Sequence, residues 1–320
     1  MSKYLVLGAS GFLGRNFCEQ LKKEGHEVIG TYYSRVPRFL DARNMEHVDL
    51  TDQNQAHRIM DISKPDYVIM AFAKTYGIGI SANRPEDMVR DNIVMNVNVL
   101  DACLRHKVGK VLFISSSTVY QEIGSPYMAE SELDLNQEPY YLYKGVGWVK
   151  RYTEKLCEFY HSRGLDASVV RPTNIYGPYD SYALGSSHVV PALIKRALDK
   201  EIPYKVWGSG QEKKDFLYVD DFVRDALMVL REYGRPDPIN LCSYHMVSIK
   251  TLADMVLKIT DHDVAPEFTG ENRGLRYREL DRKKFDDMCW SLEGYVGLVE
   301  GLKKTVTWIE EDSNAAAYIS

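Results

Sequence analysis

The sequence predicts an α/β fold: a doubly wound parallel sheet with a smaller, mostly α C-terminal domain. Three observations carry that expectation. Short apolar runs alternate with longer amphipathic ones through the first half of the chain, and three glycines stand three apart directly after the first run. After Arg171 and Pro172 the texture changes to a stretch rich in Gly, Pro, Tyr and Ser. Strands alternating with helices of this length signal βαβ units.

The elements follow in order. Residues 4–7 form the first apolar run, 12–23 a helical pattern and 27–32 a second strand. A short strand at 47–48 leads into a helix over 53–62, and 66–70 is an apolar strand before a long helix over 85–106. Residues 110–115 give the next strand, 141–161 the next helix, and 166–170 the strand that closes the series. Right-handed crossovers place the helices on both faces. Beyond it, 173–187 reads as an irregular, site-forming segment, 189–199 as a helix and 204–207 as a strand. Residues 216–219 and 220–232 read as a strand and helix that rejoin the sheet, with helices at 249–259 and 298–309. Residues 315–320 read as a frayed tail.

Composition narrows the function. The 320 residues carry 40 basic and 45 acidic side chains, a net charge of −5 with no long run of either sign, which argues against nucleic-acid or polybasic membrane binding. No stretch approaches the ~20 apolar residues of a membrane span. Five cysteines (Cys18, Cys103, Cys157, Cys242, Cys289) are far apart and show no CxxC spacing. Reduced structural thiols in a cytoplasmic protein are expected, with no metal site.

Gly8, Gly11 and Gly14 follow a strand and open a helix. The first permits a tight turn, the second lets backbone approach a pyrophosphate, and the third lets helix and strand pack closely. The helix N-terminus then stabilises the phosphate charge. This predicts a Rossmann-type dinucleotide site, with Ser10, Phe12 and Leu13 in the same turn. Residues 1–172 and about 215–243 are expected to bind the dinucleotide, and about 173–214 and 244–320 the substrate. The second strand ends in Ser34 and Arg35, with no carboxylate before Asp41. Ser34 and Arg35 suit a 2′-phosphate, which favours NADP, while a solvated loop arginine on an NAD enzyme is the alternative. Asp49 and Leu50 stand where an adenine edge is held, although Asp49 can equally cap the next helix.

Tyr140 and Lys144 stand four apart at the start of the helix that follows Ser115, Ser116 and Ser117. At that spacing they share one helix face. An ammonium beside a phenol lowers its pKa, so the tyrosine can exchange a proton with an alcohol or carbonyl oxygen. A serine hydroxyl at a strand's carboxyl end can bond the same oxygen.

Together these residues resemble the extended short-chain dehydrogenase/reductase family, whose functional positions match the glycine turn, Ser116, Tyr140, Lys144 and Asn92. Within it, the resemblance to the GDP-L-fucose synthases extends over nearly the whole chain. It is carried by YMAESE at 127–132, PY at 139–140, PTNIYGP at 172–178, SHVVPAL at 187–193, VWGSG at 206–210 and FLYVDD at 216–221. The resemblance implies that Asn92 orders the proton relay. It also implies cofactor contacts from Ala71, Ala73, Lys74, Pro172, Asn174 and Ile175.

Those synthases epimerise carbons 3 and 5 of a GDP-4-keto sugar, using a cysteine and a histidine, and then reduce carbon 4 with NADPH. His188 matches the histidine, with a structural wall residue as its alternative role. The cysteine position is Thr118. A threonine hydroxyl is far too weak a base for a carbon acid without further activation. The expectation is therefore hydride transfer at carbon 4 of a GDP-linked hexose or heptose, without epimerisation, by a homodimer. Thr118 and Asn174 would contact the sugar. Lys195 and Arg196 can meet the diphosphate. Lys214 and Arg278 match phosphate-binding arginines of the synthases, and Trp207 can cover base or sugar. Each of these four cations has a solvated surface charge as its alternative. Other readings are a 4-dehydrogenase or 4-epimerase with tightly held NAD, and a non-catalytic dinucleotide sensor. A dehydratase would need an Asp-Glu pair after the Thr118 position, where Val119 and Tyr120 stand.

Overall fold

The computed structural model describes residues 1–34, 44–74, 85–121, 127–182, 187–270, 279–288 and 294–311. The expected C-terminal tail lies outside them, as do Arg35, Cys289 and Arg278.

The first half runs β1 (Lys3–Leu7), α1 (Phe12–Lys23), β2 (Glu27–Tyr32), β3 (Met45–His47), α2 (Gln53–Ser63), β4 (Tyr67–Met70), α3 (Pro85–Arg105) and β5 (Lys110–Ile114). After a 3-10 turn at Ser117–Val119 come β6 (Tyr127–Met128), α4 (Lys144–Ser162), β7 (Asp166–Pro172) and β8 (Asn174–Tyr176). The remainder comprises α5 (Val189–Leu198), β9 (Tyr204–Val206), β10 (Lys213–Tyr218), α6 (Val219–Met228), β11 (Ile239–Leu241), β12 (Met246–Ser248), α7 (Ile249–Ile259), β13 (Pro266–Phe268), β14 (Glu279–Leu280), α8 (Lys283–Asp286) and α9 (Leu298–Glu311).

Seven strands form one sheet in the order β11-β7-β5-β4-β1-β2-β3, and every pairing in it is parallel. Both faces are covered, as a parallel sheet requires. Phe17, Leu21, Phe222 and Leu227 of α1 and α6 close one side around Tyr4, Val6 and Leu112. Ala56, Ile59, Val99, Cys103 and Cys157 of α2, α3 and α4 close the other around Leu5, Val68 and Phe113. Four cysteines, Cys18, Cys103, Cys157 and Cys242, are buried free thiols. Strand order reverses between β1 and β4, so the ligand crevice opens at their carboxyl ends.

One expected element behaves differently. Residues 216–219 do not rejoin this sheet: β10 lies parallel to β8 and antiparallel to β12 in a separate three-stranded sheet. The edge beside β7 is taken instead by β11. The chain turns out of the large sheet at Thr173, whose N–H bonds Leu241 O at 3.0 Å and whose hydroxyl bonds Asp215 O at 3.1 Å. Helix α6 still packs against α1, with the Phe17 and Phe222 rings edge-on at 5.9 Å. A third apolar cluster joins α5, α7 and α9 around Tyr182, Ile194, Leu252 and Leu302. No described helix is long and apolar enough to cross a membrane.

Candidate active site

The turn after β1 is built by its glycines. Gly8 has φ of 83°, and a Cβ there would lie 2.8 Å from Phe72 Cα, in the backbone that follows β4. A Cβ on Gly14 would lie 2.2 Å from Gly8 O, so α1 can start this close only with glycine at that position. Gly11 is the exposed N-cap of α1, and no side chain caps the helix. The first amides therefore remain for an anion. Ser10, Phe12 and Leu13 are half-buried in the same turn. A dinucleotide pyrophosphate fits this cradle. Gly14→Ala is expected to raise the dissociation constant for NADPH at least tenfold and to cost about 1–3 kcal/mol of stability. Fluorescence titration and a thermal melt check both.

Around the cradle, Ser34 is exposed at the end of β2. Asp49 Oδ1 accepts from Thr51 N (2.9 Å) and Thr51 Oγ1 (2.6 Å), while Asp52 caps α2. Buried Leu50 presents its carbonyl to Asn98 Nδ2 at 3.0 Å. Beyond β4, Ala71 N bonds Leu7 O at 3.0 Å, and Ala73 is exposed. Buried Asn92 accepts from Lys74 N at 2.9 Å and donates to Lys74 O at 2.8 Å, so it clamps the strand end that borders the cradle. Pro172 is buried at the end of β7, Ile175 is half-buried, and Asn174 is exposed with its amide on Asp215 O at 2.9 Å.

The serine cluster sits at the carboxyl end of β5. Ser116 Oγ accepts from Thr118 N at 3.2 Å and so starts the 3-10 turn that carries Thr118. Thr118 Oγ1 is closed off from water and has no hydrogen-bond partner among the described residues. Tyr140 is buried, 9% exposed, but it lies before α4 in extended conformation (φ −49°, ψ 135°). A 3-10 turn, Tyr141–Tyr143, separates it from Lys144, the first residue of the helix. The expected common helix face is therefore absent. The side chain of Lys144 is 61% exposed and stands 3.5 Å from Glu138 Oε1. Glu138 in turn accepts from Trp148 Nε1 at 2.6 Å.

Behind the serines lies a buried polar network that the sequence reading missed. Ser115 Oγ donates to Glu154 Oε1 at 2.5 Å, and Arg171 grips both oxygens of Glu154 at 3.0 and 2.7 Å. Arg171 also donates to Tyr120 Oη at 2.9 Å, and Tyr120 donates to Asn240 Oδ1 at 2.7 Å. Burial opposes the Arg171 charge, yet the Glu154 carboxylate holds the guanidinium pKa above its ordinary value. The bonded pairs are 17 to 120 positions apart in sequence, so no local spacing announces them. Lys150 was missed too: its Nζ donates to Ile114 O at 2.7 Å.

Toward the smaller sheets, His188 precedes α5 with an exposed ring whose Nδ1 is 3.4 Å from buried Asp180 Oδ2. Asp180 raises the imidazole pKa by hydrogen bond and charge, against the nearby charge of Lys214. Half-buried Lys214 has its own pKa lowered by burial. Among the described residues, the other two expected cations are occupied. Lys195 pairs with Asp199, and Arg196 donates to Lys205 O, lies 3.5 Å from Glu201 and stands 5.8 Å from the ring of half-exposed Trp207.

Residues 4–242 match the NAD dependent epimerase/dehydratase family. The chain is 33% identical over 322 residues to GDP-L-fucose synthase of Sinorhizobium fredii, covering 96% of each. The structure of UDP-glucose 4-epimerase from Thermotoga maritima is similar at a TM-score of 0.86 and 26% identity, over 96% of this chain and 98% of that one. A GDP-L-fucose synthetase from Naegleria fowleri, bound to NADP, shares the fold at a TM-score of 0.83 and 24% identity, over 99% and 96%. The protein belongs to the NAD dependent epimerase/dehydratase family and is an enzyme of the extended short-chain dehydrogenase/reductase type.

Proposed function

We propose that the protein is an NADP(H)-dependent oxidoreductase that reduces carbon 4 of a GDP-linked 4-keto hexose or heptose and does not epimerise carbons 3 and 5. NADPH supplies the hydride when bound. Tyr140 gives its proton to the ketone oxygen and Ser116 bonds that oxygen, so negative charge never accumulates on it. The observation that carries the reading is Thr118. Its enclosed hydroxyl, one 3-10 turn from Ser116, stands where a thiol base would be needed to remove a proton from carbon. Supplying GDP-4-keto-6-deoxymannose and NADPH in deuterated water is expected to give reduction with little label at carbons 3 and 5. Full labelling there would overturn the reading.

NADP is preferred because, in the sequence, Ser34 and Arg35 follow the second strand with no carboxylate before Asp41. The dissociation constant for NADPH is expected to be lower than that for NADH, and the reverse order would point to NAD. A second reading, a 4-epimerase with tightly held NAD, is supported by the likeness to the Thermotoga maritima enzyme. Its mark is NAD released from the purified protein on denaturation. Residues 1–172 and about 215–243 would hold the dinucleotide, and about 173–214 and 244–320 the nucleotide sugar. A cytoplasmic homodimer fits exposed Trp148, Tyr152 and Phe159 along α4 with Val94 of α3, an apolar stripe that a second copy would cover.

A further inference from the structure

We propose that Arg151 is a positioning residue for the proton transfer: its guanidinium pins the strap that carries Tyr140 to the turn that follows Ser116. The proposal rests on the reading of Tyr140 as the proton donor.

Tyr140 stands before α4 in extended conformation, so no helical backbone sets its place. The three residues that lead to it are each tied to α4 instead. Gln137 O accepts from Arg151 Nη1 at 2.5 Å. Glu138 accepts from Trp148 Nε1 at 2.6 Å. Pro139 lies against Gly147, where a Cβ would come within 2.6 Å of Pro139 Cβ and 2.8 Å of Thr118 O. Gly147 and Trp148 stand four and three residues before Arg151, so the three share one face of the helix.

The same guanidinium reaches the other side of the site. Its Nε donates to Val119 O at 2.6 Å. Val119 ends the 3-10 turn that Ser116 Oγ starts by accepting from Thr118 N. One planar fork therefore joins a carbonyl three residues after Ser116 to a carbonyl three residues before Tyr140. The ammonium of a lysine is a point charge with no such fork.

Stability gives no reason for an arginine at this position. Arg151 is 1% exposed, has no ion-pair partner among the described residues, and leaves Nη2 enclosed without a hydrogen bond. Its Cζ lies 4.7 Å from the centre of the Trp148 ring. A buried charge that meets two carbonyls and no carboxylate is costly to keep. What it supplies is geometry, and a misplacement of about 1 Å between reacting groups can cost about 10² in rate.

The test uses the full-length variants Arg151→Lys, Arg151→Met and Tyr140→Phe, and the double variant Arg151→Met with Tyr140→Phe. Each is assayed with NADPH and GDP-4-keto-6-deoxymannose, and kcat is counted per NADPH-binding site so that unfolded protein does not enter. Arg151→Met should lower kcat at least 30-fold and Arg151→Lys at least tenfold, with KM and the NADPH dissociation constant within threefold of wild type. In the Tyr140→Phe background, Arg151→Met should cost less than threefold more, because the hydroxyl it acts through is already gone. A merely structural arginine would lower activity equally in both backgrounds. Smaller losses in the single variants, a larger further loss in the double variant, or a shift beyond threefold in KM or NADPH affinity each overturn the proposal. If Arg151→Met does not fold, Arg151→Lys takes its place in the double variant and the same limits decide. A wild-type protein that binds NADPH yet reduces no ketosugar overturns the functional reading instead. Amide hydrogen exchange then tests Arg151 by itself: peptides covering 117–121 and 134–143 should exchange at least tenfold faster in Arg151→Lys than in wild type, and unchanged exchange overturns the tether.

Discussion

Tyr140→Phe is expected to lower kcat for ketosugar reduction by about 10²–10⁴ while leaving NADPH affinity within threefold. Only one oxygen atom is lost, and the ring stays buried against Tyr141 at 4.7 Å and Tyr143 at 5.8 Å. The protein should melt at nearly the same temperature. Stopped-flow absorbance of the nicotinamide isolates the chemical step. Unchanged turnover would remove Tyr140 from the chemistry and revive a protein that senses dinucleotide without transforming a sugar.

The second large effect concerns Arg171 and Glu154. Each side chain is 4% exposed, and they meet through two parallel hydrogen bonds. Arg171→Met leaves a buried carboxylate without its partner, which typically costs about 3–5 kcal/mol. For a chain of this length that corresponds to a fall in melting temperature of roughly 10 °C. Replacing both residues, Glu154→Leu with Arg171→Met, should recover most of the stability, because no unpaired charge remains. Recovery of activity should lag behind, since Ser115 loses its acceptor and the backbone that leads to Ser116 loses an anchor. A double variant as unstable as the single one would show that the network is held by something other than this ion pair.

What was legible in the sequence was whatever depends on neighbours in the chain. The parallel sheet is written in alternating runs, and Gly8, Gly11 and Gly14 are spaced by the turn they make. The helices over 12–23, 85–106 and 249–259 agree with the structure to within a residue or so at each end. Legibility failed where distance in sequence and in space part company. Strand β10 looks like another sheet strand because its residues are Phe216, Leu217 and Tyr218; nothing in them says which edge is vacant, and β11 had the better claim beside β7. The Tyr140–Lys144 spacing assumed a helix that already includes Tyr140, whereas α4 begins at Lys144, four residues later. Glu154, Arg171, Tyr120 and Asn240 are ordinary letters until the fold closes on them.

Strand β11 has a consequence for synthesis. It is the outermost strand beyond β7, and it emerges only after 241 of 320 residues have been made. Until then a nascent chain on the ribosome carries β7 as a bare rim of unpaired amides and carbonyls, open to pairing with another chain. Ribosome-stalled fragments ending shortly before Ile239 should therefore be the ones that chaperones hold longest.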